Sequence, residues 1–256
     1  MVLETARDYF EFLANLGLTK HIGSMDATRE LLELCHVREG DHVLDVGCGV
    51  GATPVYLAKR GKCRAVGVDL LERMIEQSRQ RAASAEVGDR VGLAVADGRR
   101  LPFPDGQFDV VMMESLNVFF EDKVEALREY VRVTRPGGYV GMTEMTWLEA
   151  PSEETADYYR RTVYADALQA EGWRGLMREA GLRNVAGNAR PADLPREARG
   201  RVQRYGCLGI VRVLAKAVTV FFKDRVSRGF LRDVARSLPQ DMLDDTGYGV
   251  YAGRKP

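Results

Sequence analysis

The sequence predicts an α/β domain on a doubly wound, largely parallel sheet, and three observations carry that prediction. Short apolar runs alternate with segments of helical period from residue 43 onward. The first run, Val43–Val46, leads straight into Gly47-Cys48-Gly49-Val50-Gly51, with glycine at alternate positions. The next two runs end at acids, Asp69 and Asp97. A strand that turns through glycine into a helix brings backbone N–H groups up to a ligand with no Cβ in the way. Open α/β sheets bind their ligands at the carboxyl ends of the strands, so a nucleotide-type site is expected there.

The chain of 256 residues suits one such domain with additions. Its 37 basic and 37 acidic residues cancel, so no global field recruits nucleic acid. Cys35, Cys48, Cys63 and Cys207 are scattered, and His21, His36 and His42 lack ligand spacing. Separate reduced thiols and no metal site are expected. The first residues carry no charged-plus-apolar leader, which gives the expectation of a cytoplasmic protein.

Taken in order, residues 3–17 have helical period through Leu3, Ala6, Phe10 and Leu13, and Gly17 closes them. Asp26 is the expected N-cap of a second helix over 27–36. The first strand is Val43–Val46, and Pro54 falls in the first turn of the helix that continues to Arg60. Strand two is 65–69, and the helix 71–83 turns Met74, Ile75 and Ser78 inward. Strand three is 91–95. Leu101-Pro102-Phe103-Pro104-Asp105-Gly106 is a turn into strand four, which ends near Glu114 and Ser115. A helix over 121–132 follows, then a tight turn at Arg135-Pro136-Gly137-Gly138 and strand five over 139–146. Residues 153–180 make one helix or two, closed by Gly181; strand six is 183–189 and the last strand 248–254. Between these two strands lies an insertion, 190–246.

The glycine stretch admits two readings. Gly47, Gly49 and Ala52 with Asp69 satisfy a relaxed dinucleotide fingerprint, which would make the chain an NAD-dependent oxidoreductase. The same residues, with Asp45 inside the first strand, spell hydrophobic-x-Asp-x-Gly-x-Gly-x-Gly. Leu101-Pro102-Phe103-Pro104-Asp105 before Phe108-Asp109-Val110-Val111 is a second feature, and Leu127-Arg128-Glu129 through Arg135-Pro136-Gly137-Gly138 a third. In that order, over residues 41–147, the chain resembles the class I S-adenosylmethionine (SAM)-dependent methyltransferases.

The resemblance implies a Rossmann-like seven-stranded sheet with an antiparallel last strand. It implies a SAM-binding core over 41–189, completed by 247–256, with an N-terminal helical cap over 1–40 lying across the cofactor. It also implies a cofactor set of Asp45, Gly47, Cys48, Gly49, Asp69, Leu70, Met74, Asp97, Gly98, Glu114 and Ser115. In this set Asp69 accepts the ribose hydroxyls and Asp97 the adenine amino group, and the product is S-adenosylhomocysteine. A SAM-binding partner protein without transferase activity is the alternative, since fold does not fix function.

Methyl transfer is an in-line displacement that removes the sulfonium charge, so the protein must mainly bind, orient and exclude water. A base is needed only for a protonated acceptor. Glu144, expected at the crevice end of strand five, and His21 are the candidates. A solvated strand end and a structural histidine are their plainer alternatives. Tyr9 and Trp147 either line an acceptor pocket or pack in the core. Glu114-Ser115-Leu116-Asn117 stands where base-amino methyltransferases carry Asn/Asp-Pro-Pro-Tyr/Phe, so a small-molecule acceptor is expected, with quinone-, sterol- or lipid-like ones closest. From 190 to 236, twelve basic residues face four acids, around an apolar centre interrupted by Arg212 and Lys216. This segment reads as a helical lid over an apolar acceptor or, through 201–236, as a peripheral contact with an anionic membrane.

Overall fold

A computed structural model describes residues 10–11, 23–61, 63–193, 215, 219 and 245–256. Eight strands form one mixed sheet: β1 (His42–Val46), β2 (Arg64–Asp69), β3 (Val91–Val95), β4 (Phe108–Glu114), β5 (Thr134–Trp147), β6 (Leu168–Gln169), β7 (Arg183–Pro191) and β8 (Thr246–Arg254). Their order is β3-β2-β1-β4-β5-β8-β7, with the short β6 paired to β5. Strands β1 to β5 run parallel, and β8 lies antiparallel between β5 and β7. This is the Rossmann-like, doubly wound sheet that the alternating runs predict. Its order reverses between β1 and β4, the place where such sheets open a crevice.

The described helices of the domain are α1 (Ser24–Leu34), α2 (Ala52–Tyr56), α3 (Glu72–Ser84), α4 (Lys123–Val133), α5 (Glu153–Thr162) and α6 (Ala170–Glu179). They cover both faces of the sheet, which is why its strands read as nearly unbroken apolar runs. Leu44, Val46, Val111 and Met113 face Leu127 and Tyr130 of α4, in a cluster that also holds Trp173 and Met177 of α6. Val43, Ala65, Val110 and Met112 face the other way, onto Ala27 and Leu31 of α1. The turn that continues α2, Leu57–Gly61, is a π turn.

Several boundaries differ from the sequence reading, each for a nonlocal reason. Helix α1 starts at Ser24 behind Gly23, which is left-handed at φ 91°, and no side chain caps it. A Cβ on Gly23 would lie 2.5 Å from that of Ala27 and 2.7 Å from the Tyr248 ring, so glycine permits the close approach to β8. Asp26 therefore falls inside the helix and pairs with Arg29. The Arg135–Gly138 segment is part of β5 rather than a turn before it. There the Gly137 N–H donates to the Lys255 carbonyl and the Lys255 N–H to the Gly138 carbonyl, both at 2.9 Å. The Lys255 ammonium adds bonds to the carbonyls of Val131 and Thr134, both 2.8 Å. Residues 153–180 resolve into α5 and α6 with β6 between them.

Arg190 and Pro191 complete β7. The rest of the expected insertion, and with it the lid and membrane alternatives, lies outside the described residues apart from Ala192, Asp193, the helical Ala215 and Thr219, Asp245, and Thr246, which opens β8. Among the described residues, no helix is long and apolar enough to cross a membrane.

Candidate active site

The carboxyl ends of β1, β2, β3 and β4 frame one crevice. Val46, Gly47 and Gly49 form its floor, Asp69, Leu70, Leu71 and Met74 one wall, and Ala96 to Arg99 another. Glu114, Ser115 and Leu116 close the far side, with Phe10 and Phe120 at the mouth. The empty space, counted out to the mouth, is about 880 Å³, within the usual range for cofactor clefts.

The glycine loop hangs from the end of β2. The N–H groups of Gly47 and Cys48 donate to the Val68 carbonyl at 2.8 and 2.9 Å. Asp69 takes the next link: its Oδ2 accepts the Gly49 N–H at 2.9 Å and its Oδ1 the Leu71 N–H at 3.0 Å. Burial pushes the Asp69 pKa up, and these backbone bonds only partly offset the rise. Gly47 is left-handed at φ 75°, and a Cβ on it would lie 3.1 Å from the Leu116 side chain.

Two of the expected cofactor residues do not line the crevice. Asp45 is buried within β1, in register between Gly67 and Met112. The Cys48 thiol turns toward β2, where a Cβ on Gly67 would sit 2.9 Å from its Sγ. Burial first, then the Asp45 and Asp69 charges, push that thiol's pKa well up. The pleat of β1 sets the direction of the Asp45 side chain, while Cys48 lies in the loop beyond β1, with its thiol packed against Gly67.

At the end of β3, Asp97 already has a partner. Its Oδ1 accepts from the Arg99 backbone N–H at 2.9 Å and from Nε at 3.0 Å, and its Oδ2 accepts from Nη2 at 2.7 Å. The Arg99 guanidinium holds the carboxyl below its ordinary pKa. Next to it, a Cβ on Gly98 would lie 2.8 Å from Val46 and 3.3 Å from the Tyr130 hydroxyl, so the chain closes down on the core there.

Across the crevice, the Glu114 carboxylate is held by two hydroxyls: Thr28 donates to Oε1 and Thr53 to Oε2, both at 2.6 Å. Ser115 is left-handed at φ 55°, and its N–H donates to the Thr143 carbonyl at 2.7 Å.

Glu144 does not face the crevice, contrary to expectation. It is fully buried on β5, beneath the turn that follows β4. Its Oε1 accepts the N–H groups of Leu116 at 2.9 Å and Asn117 at 2.7 Å. Burial lifts its carboxyl to about 7 despite those bonds. Trp147 packs edge-on against Tyr159 with ring centroids 5.1 Å apart, inside the core. His21 and Tyr9 lie outside the described residues.

Sequence reasoning missed several lining residues. Phe10 was visible as an apolar position of the leading period, yet nothing local says that it reaches the crevice. It packs against Val50, Leu71 and Met74, and edge-on against Phe119 with centroids 4.6 Å apart. Leu71 and Arg99 each stand two residues after a site acid, a spacing that could have flagged them. Leu116 and Phe120 are placed by the turn after β4. Taken together, the lining provides three carboxylates, each held by hydrogen-bond donors, with glycine-loop backbone and an apolar mouth. It is built to bind and orient, and among the described lining residues it holds no histidine or lysine.

Residues 44–142 match the family described as a methyltransferase domain. The 27-O-demethylrifamycin SV methyltransferase of Amycolatopsis mediterranei is 33% identical over 160 residues, covering 60% of this chain and 58% of that protein. The chain thus spans little more than half the length of that relative. Among solved structures, the [4+2]-cyclase SpnF superposes with a TM-score of 0.77 at 20% identity, covering 100% of this chain and 98% of its own. Phosphoethanolamine N-methyltransferase 2 of Haemonchus contortus, in complex with S-adenosyl-L-methionine, gives 0.71 at 20% identity, covering 98% of this chain and 57% of its own. At such identities the two structures speak for the fold alone. With the sheet order, the glycine loop and the family match in agreement, the domain over residues 44–142 belongs to the class I SAM-dependent methyltransferases.

Proposed function

We propose that the chain transfers a methyl group from SAM to a small, apolar acceptor. The observation that carries the cofactor half is the link between the glycine loop and Asp69. One carboxylate fixes the Gly49 N–H while lining the crevice, so loop and acid form one preorganised surface. The donor set suits the cofactor. Each Asp69 oxygen keeps a lone pair for a ribose hydroxyl, and Asp97 stands at the next strand end for the adenine amino group. Gly47 and Gly49 leave the floor open to the amino acid portion, with Glu114 and Ser115 opposite. SAM supplies a methyl on a sulfonium, and the transfer is an in-line displacement. The residues of the chain hold the two partners in line and keep water out.

The mouth supports the apolar half of the reading. Phe10 and Phe120 line it, with Phe119 edge-on against Phe10 and Leu116 on the far side. A phosphorylated amine, the acceptor named for the Haemonchus enzyme, calls for a cation beside its phosphate. Among the described lining residues Arg99 is the one cation, and it is engaged by Asp97. In the second reading the cofactor is bound and its methyl kept, since fold does not fix function.

Incubation of the protein with methyl-labelled SAM and a cell extract tests both halves. Label in the organic-soluble fraction, with one S-adenosylhomocysteine formed per methyl moved, is the expected result. Label confined to water-soluble amines would overturn the acceptor class. No S-adenosylhomocysteine above the extract alone would favour the silent reading.

A further inference from the structure

Glu144 does not line the crevice, yet it holds one of the crevice walls. Its carboxylate is fully buried, Oε1 accepts the Leu116 and Asn117 amides, and the buried Oε2 has no hydrogen-bond partner among the described residues. A half-satisfied buried carboxylate is a costly way to fill space, and an apolar side chain of similar volume would pack there at less cost. What the carboxylate supplies is an acceptor for two successive amides. Those amides follow Ser115, whose left-handed backbone is unfavourable for a residue with a Cβ and needs outside support. The Thr143 carbonyl supports one side of that kink, and Glu144, the next residue along β5, supports the other. The Leu116 side chain then rests against Gly47 of the glycine loop. Two contacts therefore connect a residue outside the crevice to its floor.

We propose that Glu144 is a positioning residue, clamping the Ser115–Asn117 turn in the conformation that the crevice needs to take an adenosyl ligand. The proposal rests on the SAM reading of the crevice and deepens it, by assigning the wall's geometry to one buried acceptor.

The test uses the full chain, S-adenosylhomocysteine as probe, titration calorimetry and thermal unfolding. Glu144→Gln keeps a carbonyl oxygen for both amides, so its affinity should stay within about three-fold of the wild type, while Glu144→Leu offers no acceptor and should bind about 10-fold more weakly or worse. Thermal unfolding shows that the Leu variant is folded before its affinity is read. A Leu variant that binds the probe like the wild type overturns the proposal. Should that variant fail to fold, amide hydrogen exchange of the ligand-free wild type decides. Protected Leu116 and Asn117 amides, retained in Glu144→Gln, support the clamp; exchange at exposed-loop rates overturns it. A wild type that binds no S-adenosylhomocysteine refutes the cofactor reading instead, and the exchange measurement still judges the clamp.

Discussion

The Thr28 hydroxyl, on the helix that precedes the sheet, donates to Oε1 of Glu114 at 2.6 Å, 86 residues further along the chain. Thr53, at the start of the helix after the glycine loop, holds the other oxygen. A carboxylate in the crevice wall is thus braced from two helices, and its orientation depends on both. Thr28→Val removes only the hydroxyl. It should lower stability by about 1.5–3 kcal/mol, the usual range for a hydrogen bond to a charged group, and weaken S-adenosylhomocysteine binding. Urea unfolding together with calorimetry checks both; unchanged values would show that the brace contributes nothing.

Asp69 carries two loads, the Gly49 N–H and the ligand side of the crevice. Asp69→Asn puts an amide NH2 where an acceptor is needed for either Gly49 or Leu71. SAM affinity should fall by about 10- to 150-fold, equivalent to roughly 1.5–3 kcal/mol. Amide exchange at Gly49 should speed up in the same variant. A protein that keeps both would separate Asp69 from the loop.

Asp97 and Arg99 should respond unequally. If the acid serves the ligand and the arginine only holds the acid, Asp97→Ala weakens SAM binding by about 10-fold or more. Arg99→Met then leaves it within a few-fold. The Arg99 pairing lowers the Asp97 pKa, so the stabilisation from this pair is present at neutral pH and lost as pH falls through the folded pKa. Calorimetry on the two variants decides. Equal losses in both would place Arg99 on the ligand.

Glu144 predicts a pH dependence of stability with the opposite sign. Its carboxyl titrates near 7 in the folded chain against an ordinary 4.5. Between those values the folded state holds a proton that the unfolded state has released. The contribution is therefore fully present below 4.5 and lost as pH rises through about 7. The gap amounts to about 3 kcal/mol. Lys123 and Tyr130 on α4 and Tyr251 on β8 bear on this carboxyl; the lysine charge opposes the shift, and both tyrosines stay neutral in this window. Unfolding midpoints from pH 5 to 8 should fall more steeply for the wild type than for Glu144→Gln. Parallel curves would contradict this.

The sheet was legible because both of its faces are buried: runs such as Val43–Val46 and Val110–Met113 admit little else. The glycine loop and the acids at strand ends were legible as a pattern in sequence. What stayed hidden depends on contacts between distant segments. The Arg135–Gly138 stretch has turn composition, and it joins the sheet because Lys255 pairs with it. Asp26 looks like a cap, yet the helix starts at Ser24, behind Gly23, where Tyr248 approaches closely. Glu144 reads as a crevice residue from its position at the end of a strand. The amides of the turn after β4 turn it inward, and they lie 27 and 28 residues away. Phe10 lines the crevice, a placement that no local signal gives.

The most direct test of the central claim is a parallel titration of the wild-type chain with SAM and with NAD. Saturable one-to-one binding of SAM, lost in Asp69→Asn, with no heat from NAD under the same conditions, is the predicted result. Binding of NAD with none of SAM would contradict the account at its root.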